Sequence, residues 1–280
     1  MEQTTEHSPL TVGASKRQRW RLLKDYAARH LVAIGGISVI IAILLIFFYL
    51  LYIVYPLFIP ASAERMDTYP VPGGQQAGTL HLASDELGNV AVRYTDDGRA
   101  VFFRIADGQI IEQQRLTPEG VAASSIAPAD PVSGELALGL PDGRALVVQH
   151  SFEVSFPDDK RTITPKLSFP YGDQPLDVAG GNGPLTAAAM RDSEDQLMVA
   201  ALAGETLRLV AFSKETSFLS EEVTLERQEV ALPELDIEPR FLLISPDQRW
   251  LYVAASDGEV IRLDVSDTEQ PKIMERAKLV

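Results

Sequence analysis

Four histidines, His7, His30, His81 and His150, are the side chains here whose ordinary titration falls near neutral pH. They are too far apart in sequence to form a compact metal motif, and His30 stands at the edge of a long apolar run. The chain has no cysteine, which removes disulfides, thiolate metal sites and thiol nucleophiles together. Acidic residues sit beside glycine in "DDGR", "PDGR" and "SDGE", as they do in calcium loops. These stretches lack alternating oxygen ligands and have strand-like flanks, so turn chemistry is expected. "GGNG" (180–183) has neither the spacing nor the strand-to-helix setting of a phosphate loop; Pro184 follows it, and it reads as a loop between structural units. No G-x-S-x-G or S-x-x-K constellation occurs. No catalytic, cofactor-binding or metal-ligating set is expected from these residues, and nothing in them supports an enzyme.

The element that stands out is apolar. From Leu31 to Ile59 there is no charged residue, and these 29 positions, at about 1.5 Å each, exceed a hydrocarbon core of about 30 Å. A secretory signal has an apolar region of only about 7–15 residues, so Ala61-Ser62-Ala63 is not expected to act as a cleavage site and the helix is expected to be retained. Lys16, Arg17, Arg19, Arg21, Lys24 and Arg29 precede the run, whereas Arg65 is the only Lys or Arg in the thirty residues after it. The positive-inside rule then puts the N-terminus in the cytoplasm of a bacterial inner membrane and residues after about 60 in the periplasm. Tyr49, Tyr52 and Tyr55 fall at the outer interface, and Trp20 and Tyr26 suit the inner one. "KRQRWRLLKDY" reads either as an interfacial lead-in or as a solvated basic tail. Ala28, Gly35, Ser38 and Ala42 line one helix face, where small residues allow another helix close approach.

Residues 1–60 carry a net charge of +3 and residues 61–280 a net charge of −17. So acidic an outer region is a poor candidate for nucleic acid. The expected division is a basic tail and interfacial segment (1–30), a transmembrane helix (31–59), a Pro/Gly-rich linker (60–78) and a β domain (79–280).

After the linker the period changes to two. "GNVAVRYTDDGRAVFFRI" (88–105), "GELALGLPDGRALVVQHS" (134–151), "DQLMVAALAGETLRLVAFS" (195–213) and "QRWLYVAASDGEVIRLDVS" (248–266) each read as strand, tight turn, strand. Their turn glycines Gly98, Gly143, Gly204 and Gly258 are 45, 61 and 54 residues apart, close to the repeat of a β-propeller blade. A short apolar segment precedes each hairpin and an alternating polar one follows it, making four strands per unit. In the last hairpin Leu251, Val253, Ile261 and Leu263 share one face while Tyr252, Ala254, Val260 and Arg262 share the other. "ISPDQRWLYVAASDGEVIRLDV" resembles blades of WD40-like and lactonase-like propellers. The expected fold class is one N-terminal transmembrane α-helix followed by an all-β, β-propeller-like extracytoplasmic domain of about four blades. Two β-sandwiches are the rival, which does not account for a hairpin recurring four times. Four blades stop short of the larger rings usual for propellers, so the array is expected to be incomplete.

Residues 17–58 resemble the first transmembrane segment of the phosphate ABC-transporter permeases of the Pst system of gamma-proteobacteria, some of which carry a large periplasmic insertion after that span. The resemblance covers the span and its basic flank well, and the β domain by placement and type. It implies a permease subunit supporting phosphate import across the inner membrane. The implied partners are the lipid bilayer, other transmembrane helices, a periplasmic phosphate-binding protein and, through the complete complex, a cytoplasmic ATPase. Later spans and the coupling loop for the ATPase are absent from these residues. The alternative is a single-span, membrane-anchored β-propeller interaction scaffold; a propeller hydrolase would need acidic or His ligands converging on a central channel.

Overall fold

The computed structural model describes residues 16–60, 68–216 and 223–278, and the chain divides into two compact units, Met1–Met66 and Asp67–Val280. His7 and Ala61-Ser62-Ala63 lie outside the described residues.

The first unit is the helix α1 (Lys16–Val54) closed by a 3-10 turn, Tyr55–Phe58. The helix begins well before the apolar run, because Arg, Leu, Lys and Ala in the basic flank all favour helix. It ends where Pro56 removes a backbone donor and disfavours the helical region for the residue before it. Leu23–Phe58 is long and apolar enough to cross a membrane, with a mean hydropathy of 3.0 in its most apolar stretch. It is apolar on every side, so within its own unit it has no buried face. The Ser38 hydroxyl donates to the Gly35 carbonyl at 2.8 Å, which satisfies the one polar side chain of the small-residue strip within the helix itself.

The second unit is all β. Its strands are β1 (Thr79–Ser84), β2 (Val90–Thr95), β3 (Arg99–Arg104), β4 (Ile110–Arg115), β5 (Ser125–Pro128), β6 (Glu135–Gly139), β7 (Arg144–Ser155), β8 (Thr162–Ser168), β9 (Leu176–Asp177), β10 (Leu185–Asp192), β11 (Gln196–Ala203), β12 (Thr206–Thr216), β13 (Val223–Val230), β14 (Pro239–Ile244), β15 (Trp250–Ala255), β16 (Glu259–Asp264) and β17 (Lys272–Lys278). They form four antiparallel sheets in chain order: β1–β4 (sheet 1), β5–β8 with β9 paired to β7 (sheet 2), β10–β13 (sheet 3) and β14–β17 (sheet 4).

The hairpin turns follow from glycine. Gly98 has φ +75° and its N–H donates to Thr95 O at 3.0 Å; a Cβ there would lie 1.8 Å from Thr117 Oγ1. The acids of these turns are held locally. Asp97 accepts from the Thr95 hydroxyl at 2.5 Å and pairs with Arg99 at 2.6 Å, Asp142 pairs with Arg144 at 2.6 Å, and Asp257 pairs with Lys278 at 2.9 Å. "GGNG" is the connection from β9 to β10, where the Gly180 N–H reaches Asp177 Oδ1 at 2.7 Å.

The sheets stack face to face, and alternation along the strands supplies both faces. Val92, Tyr94, Ala100 and Phe102 of sheet 1 pack on Leu136, Leu138, Leu146 and Val148 of sheet 2. Ala137, Ala145 and Val147 on the other face of sheet 2 pack on Leu197, Val199, Val210 and Phe212 of sheet 3. Met198, Ala200, Leu209 and Ala211 then pack on Leu251, Val253, Ile261 and Leu263 of sheet 4. Each fully buried aliphatic side chain adds about 1.5–3 kcal/mol, so the three seams supply most of the driving force for this unit. Four-stranded sheets stacked in chain order around their first strands are the architecture of a β-propeller. No buried cluster joins sheet 4 to sheet 1 among the described residues, so the row is not closed into a ring.

The two ends of the row differ. The outer face of sheet 1 is covered by residues 69–78. The Arg93 guanidinium, 3% exposed, donates to Pro72 O at 2.7 Å, to Gly74 O at 3.0 Å and to Ala77 O, and its Nε donates to Thr79 Oγ1 at 2.7 Å. Arg99 reaches Gly73 O at 3.2 Å, and the Tyr69 ring meets Phe103 edge-on at 6.5 Å between centroids. The described part of the Pro/Gly-rich linker is thus a fitted cover for the first sheet. Among the described residues, Phe241 and Leu243 on the outer face of sheet 4 are 69% and 52% exposed.

Candidate functional site: the cavity between the first strands

The first strands β1, β5, β10 and β14 follow one another and wall a cavity of about 390 Å³. A space of that size lies within the range of small-molecule pockets. Its walls are mostly Ala, Pro, Leu and Met, from Ala83, Ala127–Ala129, Ala188–Met190 and Leu242–Ile244. The polar groups on it are His81, Asp130, Glu135, His150 and Arg191.

Two of these are already engaged. Asp130 accepts from the N–H groups of Val132 and Ser133 at 2.7 and 2.9 Å, which holds its carboxyl below the usual range. Arg191, on β10, donates to Ala129 O of the segment after β5 and to Ile244 O of β14 at 3.1 Å, tying sheets 2, 3 and 4 together. Its own carbonyl accepts from Gln248 Nε2 at 3.0 Å, and that amide also reaches Gln196 O at 3.1 Å. Gln248 takes this position with φ +55° and is 5% exposed, a strained backbone fixed by its side chain.

The structure brings together two of the four histidines. His81 on β1 and His150 on β7 flank Tyr94, whose hydroxyl is 3.2 Å from His150 Nδ1. Burial, reinforced by the nearby His81, pushes His150 down to about 4, and burial lowers His81 as well. Both imidazoles are neutral at pH 7. His30 is on α1, with its ring edge-on against Tyr26.

A second polar group crosses the seam between sheets 2 and 3. Asp192, at the end of β10, accepts from the Tyr171 hydroxyl at 2.6 Å and pairs with Lys214 at 2.7 Å. Burial first, and then the charge of the nearby Asp192, push Glu135 on β6 up to about 7. The sequence did not mark Glu135, Tyr171, Asp192 and Lys214 as a set, because three different sheet elements must fold before they meet. Among the described residues no group of three or more His, Asp or Glu is placed to hold a metal ion. The cavity can accept a small, largely apolar group and offers it neutral imidazoles and a carboxyl that titrates near pH 7.

No family model matches the chain, and no curated protein does. Among solved structures, the chain is similar to the β-propeller domain of Cps50 (Swd1) from Myceliophteria thermophila, with 11% identity and a TM-score of 0.44 over 74% of this chain and 58% of that one. It is also similar to the WD40 domain of SCAP from fission yeast, with 12% identity and a TM-score of 0.40 over 72% of this chain and 42% of that one. The chain thus spans about half the length of these domains. The propeller-like assignment made above stands on the order and stacking of the sheets. The resemblance to phosphate ABC-transporter permeases is corrected. The solved structures found are propeller domains, and the described residues form one helix of spanning length followed by a β domain, not a set of spans. Residues 17–58 carried that resemblance as an apolar helix with a basic flank, a composition that any single anchor shares. The permease and phosphate-transport expectations go with it.

Proposed function

We propose that the protein is a membrane-anchored interaction scaffold. The helix α1 crosses a bacterial inner membrane with its basic flank in the cytoplasm, and the β unit is presented on the periplasmic side to bind another protein. The observation that supports this most is the pairing of an apolar helix of spanning length with a separate all-β unit. Among the described residues of its unit nothing packs on the helix, so lipid is the medium that suits it. The strong negative charge after residue 60 suits a soluble domain beside a membrane and disfavours nucleic acid as its partner. Asp97, Asp142 and Asp257 of the turns are paired with neighbours in their own sheets.

The test is fractionation of the full chain against a variant lacking residues 16–58. The full chain is expected to stay in the membrane pellet through carbonate and high-salt washing with its original N-terminus. The variant is expected to be released with an unchanged β-type circular dichroism spectrum. A washed-off full chain, or one beginning near Glu64, would overturn the anchor.

A further inference from the structure

We propose that in the membrane α1 bends at Gly35–Gly36 and lays residues 16–30 on the cytoplasmic surface, where their basic side binds the phosphate groups of anionic phospholipids. This deepens the scaffold reading and rests on it.

Length sets the place of the bend. The uncharged run Leu31–Ile59 is 29 residues, about 44 Å as a helix, against a hydrocarbon core of about 30 Å. Fitting the whole run by tilt alone would take about 45°, outside the range of about 0–40° that spanning helices adopt. A span that starts after the glycine pair is Ile37–Phe58, 22 residues and about 33 Å, which matches the core. Residues 31–36 and the basic turns before them are then surplus to the crossing.

The helix is weak at the same point. A Cβ at Gly35 or Gly36 would meet nothing within 4 Å among the described residues, so packing does not call for glycine there. Glycine is a poor helix former that frees the backbone. The Ser38 hydroxyl also draws on the Gly35 carbonyl at 2.8 Å, and neighbouring Gly and Ser residues with such back-bonds are recognised causes of helix bends.

Before that point the helix changes character. The spanning part is apolar on every side, whereas residues 16–30 are two-sided. Trp20, Leu23 and Ala27 recur at i, i+3 and i+7 on one side, and the sequence sets Arg17, Arg21 and Lys24 at i, i+4 and i+7 on another. Lys16 and Arg19, at the far end of the segment, fall on the first side. A helix with Trp and Leu on one side and Lys and Arg on the other suits the plane of the membrane surface. Standing upright, it would hold Trp20 about 16 Å from Leu31, beyond a headgroup layer about 5–8 Å deep. Lying flat, it sets the ring at the depth where Trp settles. Lys24 Nζ is 5.3 Å from the Trp20 ring centroid, which puts a cation at the edge of the apolar side, level with the headgroups.

Charge selects the lipid. Residues 16–29 hold six Lys or Arg and one acid, Asp25. Basic residues are drawn to an anionic surface within a Debye length of about 8 Å, and only the flat arrangement brings the whole segment that close. Nucleic acid is the other polyanion that this charge could meet, but it would leave the stripe of Trp20, Leu23 and Ala27 in water.

Trp20 and Trp250 are the two tryptophans, so Trp250→Phe leaves Trp20 as the single indole reporter. The full chain carrying this change is reconstituted in vesicles of phosphatidylcholine alone and of equal parts phosphatidylcholine and phosphatidylglycerol, with acrylamide on both sides. The expected result is at least three-fold weaker quenching of Trp20 in the phosphatidylglycerol vesicles. That protection is expected to be lost at high salt and in Arg17→Gln/Arg21→Gln/Lys24→Gln. Gly35→Leu/Gly36→Leu, which stiffens the joint, is expected to restore quenching. Equal quenching in the two kinds of vesicle overturns the proposal: open in both, the segment stands in water; shielded in both, it does not recognise headgroup charge. Protection that persists in the glycine variant overturns the bend. Protection by added RNA without phosphatidylglycerol overturns the proposal in favour of nucleic acid. Carbonate washing of the same vesicles reads the anchor separately. A retained chain with Trp20 open removes the surface helix and leaves the anchor standing, whereas a chain that washes off removes both.

Discussion

The Tyr94 hydroxyl and His150 Nδ1 lie 3.2 Å apart across the seam between sheets 1 and 2, at the wall of the cavity. The contact joins two buried groups whose charged forms are both disfavoured: burial raises Tyr94 and lowers His150 to about 4. Stability should therefore depend on pH through His150. Below its ordinary value of 6.5 the unfolded chain takes up a proton that the folded chain refuses until about pH 4. The His150 contribution is fully present above pH 6.5 and is lost as pH falls through about 4, amounting to on the order of 3 kcal/mol. Urea unfolding of wild type and His150→Gln between pH 4 and 8 should show a stability difference that shrinks on acidification. A difference independent of pH would mean that His150 is not held neutral.

Glu135 should act with the opposite sign. Its carboxyl is raised from 4.5 to about 7, so its contribution is fully present below pH 4.5 and is lost as pH rises through about 7. Glu135→Gln keeps a hydrogen-bonding group beside Asp192 and removes the second charge. It should match wild type near pH 4 and exceed it by about 1–2 kcal/mol at pH 8, read by the same unfolding experiment. Equal stability at pH 8 would contradict a Glu135 carboxyl held protonated by burial and by the charge of Asp192.

Arg93 should be the costliest single polar residue of sheet 1. Its guanidinium serves three carbonyls and one hydroxyl, and bonds to a charged donor contribute about 1.5–3 kcal/mol each before non-additivity. Arg93→Ala should lose about 3 kcal/mol or more and free residues 69–78 to exchange and to proteases. Hydrogen exchange of that segment in the variant checks this; unchanged protection there would show that the cover holds without its clamp.

Gly98→Ala should cost about 1–3 kcal/mol from the positive φ alone, and more because the new Cβ overlaps Thr117. Thermal unfolding of Gly98→Ala, Thr117→Ala and the double variant separates the two causes, because Thr117→Ala removes the Oγ1 that the new Cβ would meet at 1.8 Å. If the two substitutions simply add, the overlap with Thr117 is not the source.

The strands were legible because their pattern is local. "LYVAASDGEVIRLDV" alternates at period two around an Asp-Gly turn, and the register of β15 on β16 puts Leu251, Val253, Ile261 and Leu263 on the buried face that alternation assigns them. Stacking of the four units was legible for the same reason, since each hairpin is apolar on both faces. What escaped is whatever depends on contacts between units. His81 and His150 meet only because β1 and β7 belong to adjacent sheets. Asp192 gathers Glu135, Tyr171 and Lys214 from separate elements. The segment at 69–78 has no periodicity, and its fit is written in Arg93, which in sequence is one more polar residue of an alternating strand. The permease resemblance failed where it rested on composition alone, in an apolar helix with basic neighbours.

The central claim is that α1 crosses the membrane and holds the β unit on the side opposite its basic flank. Fusing one reporter pair, a phosphatase active only when exported and a fluorescent protein active only in the cytoplasm, after residue 12 and after residue 70 of the chain tests it most directly. The account predicts cytoplasmic activity for the fusion at 12 and exported activity for the fusion at 70. Exported activity at 12, or the same compartment at both positions, would contradict it.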